Sequence, residues 1–319
     1  MNEFGKITTM VFKNQISYKV IHIMNDTDST KSVAELTPVI LVHGWRPRKE
    51  EDVLVEWDVM KKALYKENIP YYEFNYLPAT GDPYNYPTDL GKFIFDIRAS
   101  TGYTGKFDIV CHSMGALVSR FYMMKNDNYK NIRQWIGIAP VNHGSALADL
   151  IDSRRLLYLL LKPLLYLYFR DIGSSGAVAN MRTYDRQTLE LNSSGPGHDG
   201  VMPGVTYHII IGHQVPAQTK FISKLMGMVE WLIGTSKEEY ESYKSVKRKG
   251  YVPTRVKLVE NGETVYRWTA KGDGAVANEQ SILGNITPKL IRGVGHNDLT
   301  KDPTVIELVV NFYKNYERS

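Results

Sequence analysis

The stretch FDIVCHSMGALVSRFY, residues 107–122, decides the fold. It reads as an apolar strand, then a His-Ser-Met-Gly turn, then a helix pattern. A serine at the tip of such a turn joins neither the ladder of the strand nor that of the helix, so a sharply bent backbone presents its hydroxyl. That is how a nucleophile is displayed, and the competing reading is a serine that merely caps the helix. In a strand-to-helix turn the N–H of the residue after the nucleophile, here Met114, points at a forming oxyanion, and the helix N-terminus adds a favourable dipole. Small residues two before and two after the serine suit the tight turn. Gly115 meets this, and Cys111 stands where a glycine is usual.

Around this motif, strands and helices alternate. TPVILVHGW is a short buried strand ending in His-Gly, followed by a helical stretch around residues 52–67 and the strand PYYEFNYL. A helix around 87–100 leads into the motif, whose helix covers 114–126, and IRQWIGIA is the next strand. This alternation means parallel pairing with helices on both faces, and sites in such sheets lie at the carboxyl ends of the strands. KITTMVF and QISYKVIHIM, within residues 5–25, read as a leading hairpin. Two segments, 146–203 and 217–250, far exceed ordinary α/β connections and are read as insertions with their own helices within a single domain, 1–319.

Composition narrows the chemistry. With 319 residues, 43% apolar and 23% charged, the chain has the material for a large core. A net charge of +5, with Lys and Arg scattered apart from SVKRKG, argues against a nucleic-acid partner. Cys111 is the single cysteine, so an intrachain disulfide and a Cys-based metal cluster are excluded. The opening MNEFGKITTM lacks a signal pattern, and no stretch reaches the roughly 20 apolar residues of a membrane span.

A nucleophilic Ser113 needs a base, and the chain order Ser, acid, His narrows the choice. Of the histidines after Ser113, His296 in KLIRGVGHNDL follows all the candidate acids and sits in a Gly-rich loop after a strand. Asp273, on a turn just past a β-rich run, is the preferred acid; Asp199 is its rival but precedes a strand instead of following one. The second oxyanion donor belongs to the loop after the first core strand, where Trp45 follows Gly44. His43 precedes the serine in the chain and is read as a brace for that loop.

Together, PVILVHGW, STGYTGKFDIVCHSMGALVSRFY, IAPVNHGSALAD, GAVANMRTYDRQTLELN, GDGAV and GVGHNDL resemble, in order, the landmarks of bacterial and archaeal lipases of the α/β-hydrolase fold. The resemblance spans roughly residues 38–312 and departs from the family at Cys111, at Ala116 and in the size of the segment 217–250. It implies an α/β-hydrolase fold with a mostly parallel sheet, a triad of Ser113, Asp273 and His296, and an oxyanion hole from the backbones of Trp45 and Met114. It also implies hydrolysis of lipid esters with no required cofactor. Some relatives brace the histidine loop with calcium through an Asp two residues on; Asp298 has that spacing, and a helix cap explains it equally. Phospholipid deacylation, thioester cleavage and acyl transfer use the same parts, and a lipid-binding pseudo-hydrolase would keep the pocket without turnover.

LLYLLLKPLLYLYF, Leu156–Phe169, is broken by Pro163 and flanked by Arg154, Arg155 and Arg170. It is too short to span a bilayer, and an all-round apolar helix of this kind is most often core; because it falls where the resembling lipases carry a lid, Leu156, Leu160, Leu164 and Phe169 are assigned to a cover that meets lipid. FISKLMGMVEWLIG is a second wall by the same reasoning. If the segment is a lid, activity on long-chain esters rises when substrate aggregates. Leu160→Glu with Leu164→Glu then spares short soluble esters and impairs emulsified ones. A double mutant equal to the parent on both substrates removes the lid assignment.

Overall fold

Strand β1, Val39–Val42, is buried on both faces: Ile40 and Val42 join one apolar cluster while Val39 and Leu41 join another. A strand with a two-residue period can be apolar throughout only if helices cover both sides, and they do. The computed structural model describes residues 36–46, 55–153, 176–217 and 236–317. The hairpin expected at 5–25, the apolar run 156–169 and FISKLMGMVEWLIG lie outside the described residues.

After β1 the described elements are α1 (Asp58–Lys66), β2 (Tyr71–Phe74), α2 (Pro87–Thr101), β3 (Phe107–His112), α3 (Gly115–Met124) and β4 (Ile132–Ile138). Next come α4 (Ala146–Ser153), α5 (Gly176–Asn180), α6 (Arg186–Asn192), β5 (Thr206–His213) and α7 (Lys237–Arg248). β6 (Thr254–Glu260), β7 (Glu263–Thr269), α8 (Asn278–Ser281), β8 (Lys289–Arg292) and α9 (Pro303–Glu317) complete them. Two boundaries differ from the sequence reading. The first described helix starts at Asp58 after a turn at 55–57, and α3 stops at Met124 because Asn126 and Asp127 take left-handed conformations, φ 51° and 56°.

Six of these strands form one parallel sheet in the order β2-β1-β3-β4-β5-β8. Helices α2 and α3 cover one face through Phe93, Leu117 and Phe121; α1 and α9 cover the other through Met60, Leu64, Val305 and Val309. At the amino end of β4, Arg133 forks onto Asp108 of β3, Nε to Oδ1 at 2.8 Å and Nη2 to Oδ2 at 2.6 Å, and reaches Glu317 of α9. The sheet and its last helix are thus tied at the end remote from Ser113.

β6 and β7 stand apart as an antiparallel pair, Thr254↔Thr269 through Glu260↔Glu263. Their turn is Asn261-Gly262, both at positive φ, the conformation that two-residue hairpins require. That dipeptide is a strong hairpin signal which the sequence reading left unused. α7, from the second insertion, packs on this pair: Tyr243 meets Trp268 edge-on at 5.3 Å, and Glu239 accepts from Arg255 Nε at 2.8 Å in a fully buried bridge.

The close contact that sets the active edge is between α3 and β1. A Cβ on Gly115 would lie 2.5 Å from the His43 carbonyl oxygen and 2.6 Å from that of Val42, both backbone atoms that cannot swing aside. Gly115→Ala should therefore cost about 1–3 kcal/mol, as overpacked sites do, and a urea denaturation curve matching the parent's would show that the helix has room to shift.

Candidate active site

β3 ends at His112, and the chain turns at once into α3, leaving Ser113 with φ of 51°. A non-glycine residue held in the left-handed region is strained, and strain of this kind collects at functional turns. Met114, not Ser113, is the residue preceding α3, and no side chain caps that helix, so the capping explanation of the serine does not apply. The Ser113 N–H donates to the Ile138 carbonyl at 3.1 Å, anchoring the turn to β4. Only 6% of the residue is exposed, so the hydroxyl sits at the base of a cleft instead of standing out at the surface.

The loop after β8 brings His296 Nε2 to 2.9 Å from Ser113 Oγ. On the other side of the ring, Nδ1 is 2.7 Å from Asp273 Oδ2, and the Asp273 carbonyl accepts the His296 N–H at 3.0 Å. Asp273 Oδ1 in turn accepts the N–H groups of Val276 at 2.8 Å and Ala275 at 3.0 Å. Burial pushes this carboxyl up, but His296 and the two backbone donors outweigh it and hold it below the usual carboxylate range. Asp199 lies elsewhere: its Oδ1 accepts the Val201 N–H at 3.1 Å, and its carboxylate lies beside Gly284.

The chain leaving β1 crosses directly above the serine. A Cβ on Gly44 would sit 2.9 Å from the Ser113 Cβ, so the backbone must be bare there. His43, stacked on Tyr76 at 3.8 Å, places Nδ1 2.8 Å from the Gly44 carbonyl oxygen. In a trans peptide the next N–H points the opposite way, so this bond aims the Trp45 N–H away from His43. Nε2 of His43 accepts the Tyr76 N–H at 3.2 Å, which leaves the ring neutral. Burial takes its pKa down to about 4. Among the described residues no backbone carbonyl engages the Trp45 or Met114 N–H.

Behind the serine lies a group of side chains that the sequence reading missed. Glu56, wholly buried, receives His112 Nδ1 at 2.6 Å, Arg46 Nη2 at 2.6 Å and Nε at 2.9 Å. No local pattern marks it, because a lone glutamate ahead of an amphipathic helix reads as solvent-facing. Burial works to raise its pKa, but His112, Arg46 and His43 outweigh that and bring it down to about 2.

The cleft over Ser113 encloses about 910 Å³ and is walled by apolar side chains, among them Trp45, Val141, Leu147, Met181 and Val252. Leu156, Leu160, Leu164 and Phe169 lie outside the described residues. Asp298 also borders the cleft; it precedes a short 3-10 turn without capping it through its side chain. No cluster of three or more His, Cys, Asp or Glu fit to hold a metal occurs among the described residues. No helix among the described residues is long and apolar enough to cross a membrane.

The buried groups set an acid sensitivity. Unfolded His43 takes up a proton below its ordinary 6.5 whereas the folded ring refuses it until about 4; unfolded Glu56 does so below 4.5 and the folded carboxylate only near 2. Both depressed values make the unfolded chain the better proton acceptor as pH falls. The urea midpoint should therefore drop between pH 6.5 and 4 and drop further from 4.5 toward 2, with Glu56→Gln flattening the lower segment. A midpoint constant from pH 6.5 to 4 would contradict a neutral buried His43.

No family model matches the sequence. Solved structures do resemble it. A Bacillus licheniformis lipase in mature form superposes with a TM-score of 0.59 at 17% identity, covering 90% of this chain and 96% of that one. A metagenomic carboxyl esterase gives 0.55 at 13% identity, covering 89% and 77%. A carboxylesterase structure from the ammonia-oxidizing thaumarchaeon Nitrososphaera gargenis gives 0.50 at 12%, covering 95% and 96%. A six-stranded parallel sheet covered by helices on both faces, shared with these enzymes over most of their length, means that the chain has the α/β-hydrolase fold of lipases and carboxylesterases.

Proposed function

We infer that the chain is a serine hydrolase of carboxylic esters, acting on lipid esters through an acyl-serine intermediate. The observation that carries this reading is the hydrogen-bonded line Ser113 Oγ, His296 Nε2, His296 Nδ1, Asp273 Oδ2, with steps of 2.9 and 2.7 Å, at the base of an apolar cleft. His296 Nε2 takes the hydroxyl proton as Ser113 Oγ bonds to the acyl carbon. Negative charge builds on the carbonyl oxygen, where the Trp45 and Met114 N–H groups receive it. Collapse of this intermediate expels an alkoxide that takes the proton back from His296. Water then repeats the sequence on the acyl-serine, with His296 again as base and Ser113 as the leaving group. Asp273 keeps the imidazole in the tautomer with its proton on Nδ1 and offsets the charge of the imidazolium. No step calls for a metal or cofactor, and the apolar walls favour an acyl chain over a charged substrate.

Hydrolysis of p-nitrophenyl esters of graded chain length is the direct test. Ser113→Ala should abolish turnover and fluorophosphonate labelling while leaving the fold intact. Asp273→Asn should lower kcat by on the order of 10⁴, and Asp199→Asn should leave it near the parent value. Labelling at a residue other than Ser113, or an exchange of the two Asn phenotypes, would reassign the site.

A further inference from the structure

Two loops must be held in fixed relation for such a site to work: the one carrying the Trp45 N–H and the one carrying His296. They come from opposite halves of the chain, and one pair of buried side chains touches both. Glu56 reaches the first loop through Arg46 and through the Gly44 N–H, which lies 3.4 Å from each carboxylate oxygen. His112 reaches the second, its Nε2 lying 3.1 Å from the His296 carbonyl oxygen. The two side chains meet at 2.6 Å and are almost wholly shielded from water, at 1% and 0% exposure. Arg46 closes the circuit, its Nη1 lying 3.2 Å from Asn297 Oδ1, on the residue after His296.

The chemistry of these partners fixes the protons. A carbonyl oxygen accepts only, and an ionised carboxylate accepts only. Both His112 nitrogens therefore face acceptors, and the ring serves them only with a proton on each. Burial holds this imidazole below its ordinary value against the opposing pull of Glu56, and a protonated ring is neutral as a unit with that carboxylate where a lone imidazolium would not be tolerated. The His112 and His296 rings lie 4.8 Å apart.

We propose that Glu56 and His112 are positioning residues, a buried carboxylate–imidazole pair beside the nucleophile that locks the oxyanion loop to the histidine loop. Both act through the placement of His296 and of the Gly44–Trp45 peptide. This inference rests on the hydrolase reading above and adds to it the device that keeps base and oxyanion donors in register.

Two substitutions of His112 separate positioning from bulk stability. The amide of Asn mimics Nδ1 and can still reach Glu56; the amide of Gln mimics Nε2 and can still donate to the His296 carbonyl. Activity on a short soluble ester is expressed per fluorophosphonate-titrated site, so unfolded molecules do not count. His112→Asn should lower kcat about 10²-fold, the cost of misplacing a reacting group by about 1 Å, with KM unchanged. His112→Gln should keep kcat within about 5-fold of the parent, because the bond that fixes the loop survives. Equal kcat in both variants, whether high or low, overturns the proposal. A second measurement does not depend on turnover: nitrogen NMR of histidine-labelled full-length protein should show both His112 ring nitrogens protonated at pH 7. The downfield Nδ1 proton of His296 should be lost in His112→Asn and kept in His112→Gln. A His112 ring with one bare nitrogen overturns the pairing. If the parent neither hydrolyses esters nor takes the label, the hydrolase reading fails, while the spectra still decide whether the pair spans the two loops.

Discussion

The active edge depends on how closely α3 approaches the end of β1. Two backbones meet there with nothing between them: Gly115 lies against the carbonyls of Val42 and His43, and Gly44 lies against Ser113. Because the helix begins so near the sheet, the chain has no residues to spare for a relaxed turn, and Ser113 takes the strained left-handed conformation. Strain of that kind costs on the order of 1–3 kcal/mol, and it is tolerable because all of β3 on one side and α3 up to Met123 on the other are buried.

Much of this was readable in the chain. The alternation of apolar strands with amphipathic helices specifies a parallel sheet, because each strand is apolar at consecutive positions, and Val39 to Val42 is the simplest case. The nucleophile turn was legible because strand, small residue and helix are contiguous. Asp273 and His296 were readable only by order, since nothing local brings residues so far apart in the chain into contact; that requires the strand order β5-β8 and the turn after β7. Glu56 was not legible at all. Its role comes from being enclosed, and enclosure arises from packing between α1, the β1 loop and His112. The β6–β7 hairpin failed to be read for another reason: its Asn-Gly signal was present, but the surrounding strands are half exposed and mixed in polarity.

The site joins two carboxylate–histidine pairs back to back. Asp273 with His296 faces the cleft, and Glu56 with His112 lies behind it, the two rings tilted by 41° across 4.8 Å. Their environments differ in kind. Asp273 is stabilised by backbone N–H groups of its own turn, which stay fixed whatever His296 does. Glu56 is stabilised mainly by the cationic side chains it gathers, so its stabilisation and its bridging are the same contacts. In the mechanism proposed above the front pair changes protonation state during the reaction, and the rear pair keeps it.

Asp273 is carried on the turn following a hairpin that shares no ladder with the six-stranded sheet among the described residues. The turn is tied to the rest by the Gln214 N–H on the Ala270 carbonyl, Ser145 Oγ on the Ala275 carbonyl and the His296 N–H on the Asp273 carbonyl, and the hairpin by Arg255 Nη1 on the Ala146 carbonyl and Tyr266 OH on Asp149 Oδ2. Ser113 and its neighbours belong instead to the central framework. The proposed acid is therefore held by an annex, the hairpin with α7, that docks on Ser145 and on Ala146 and Asp149 of α4, whereas Ser113 is built into the six-stranded sheet itself.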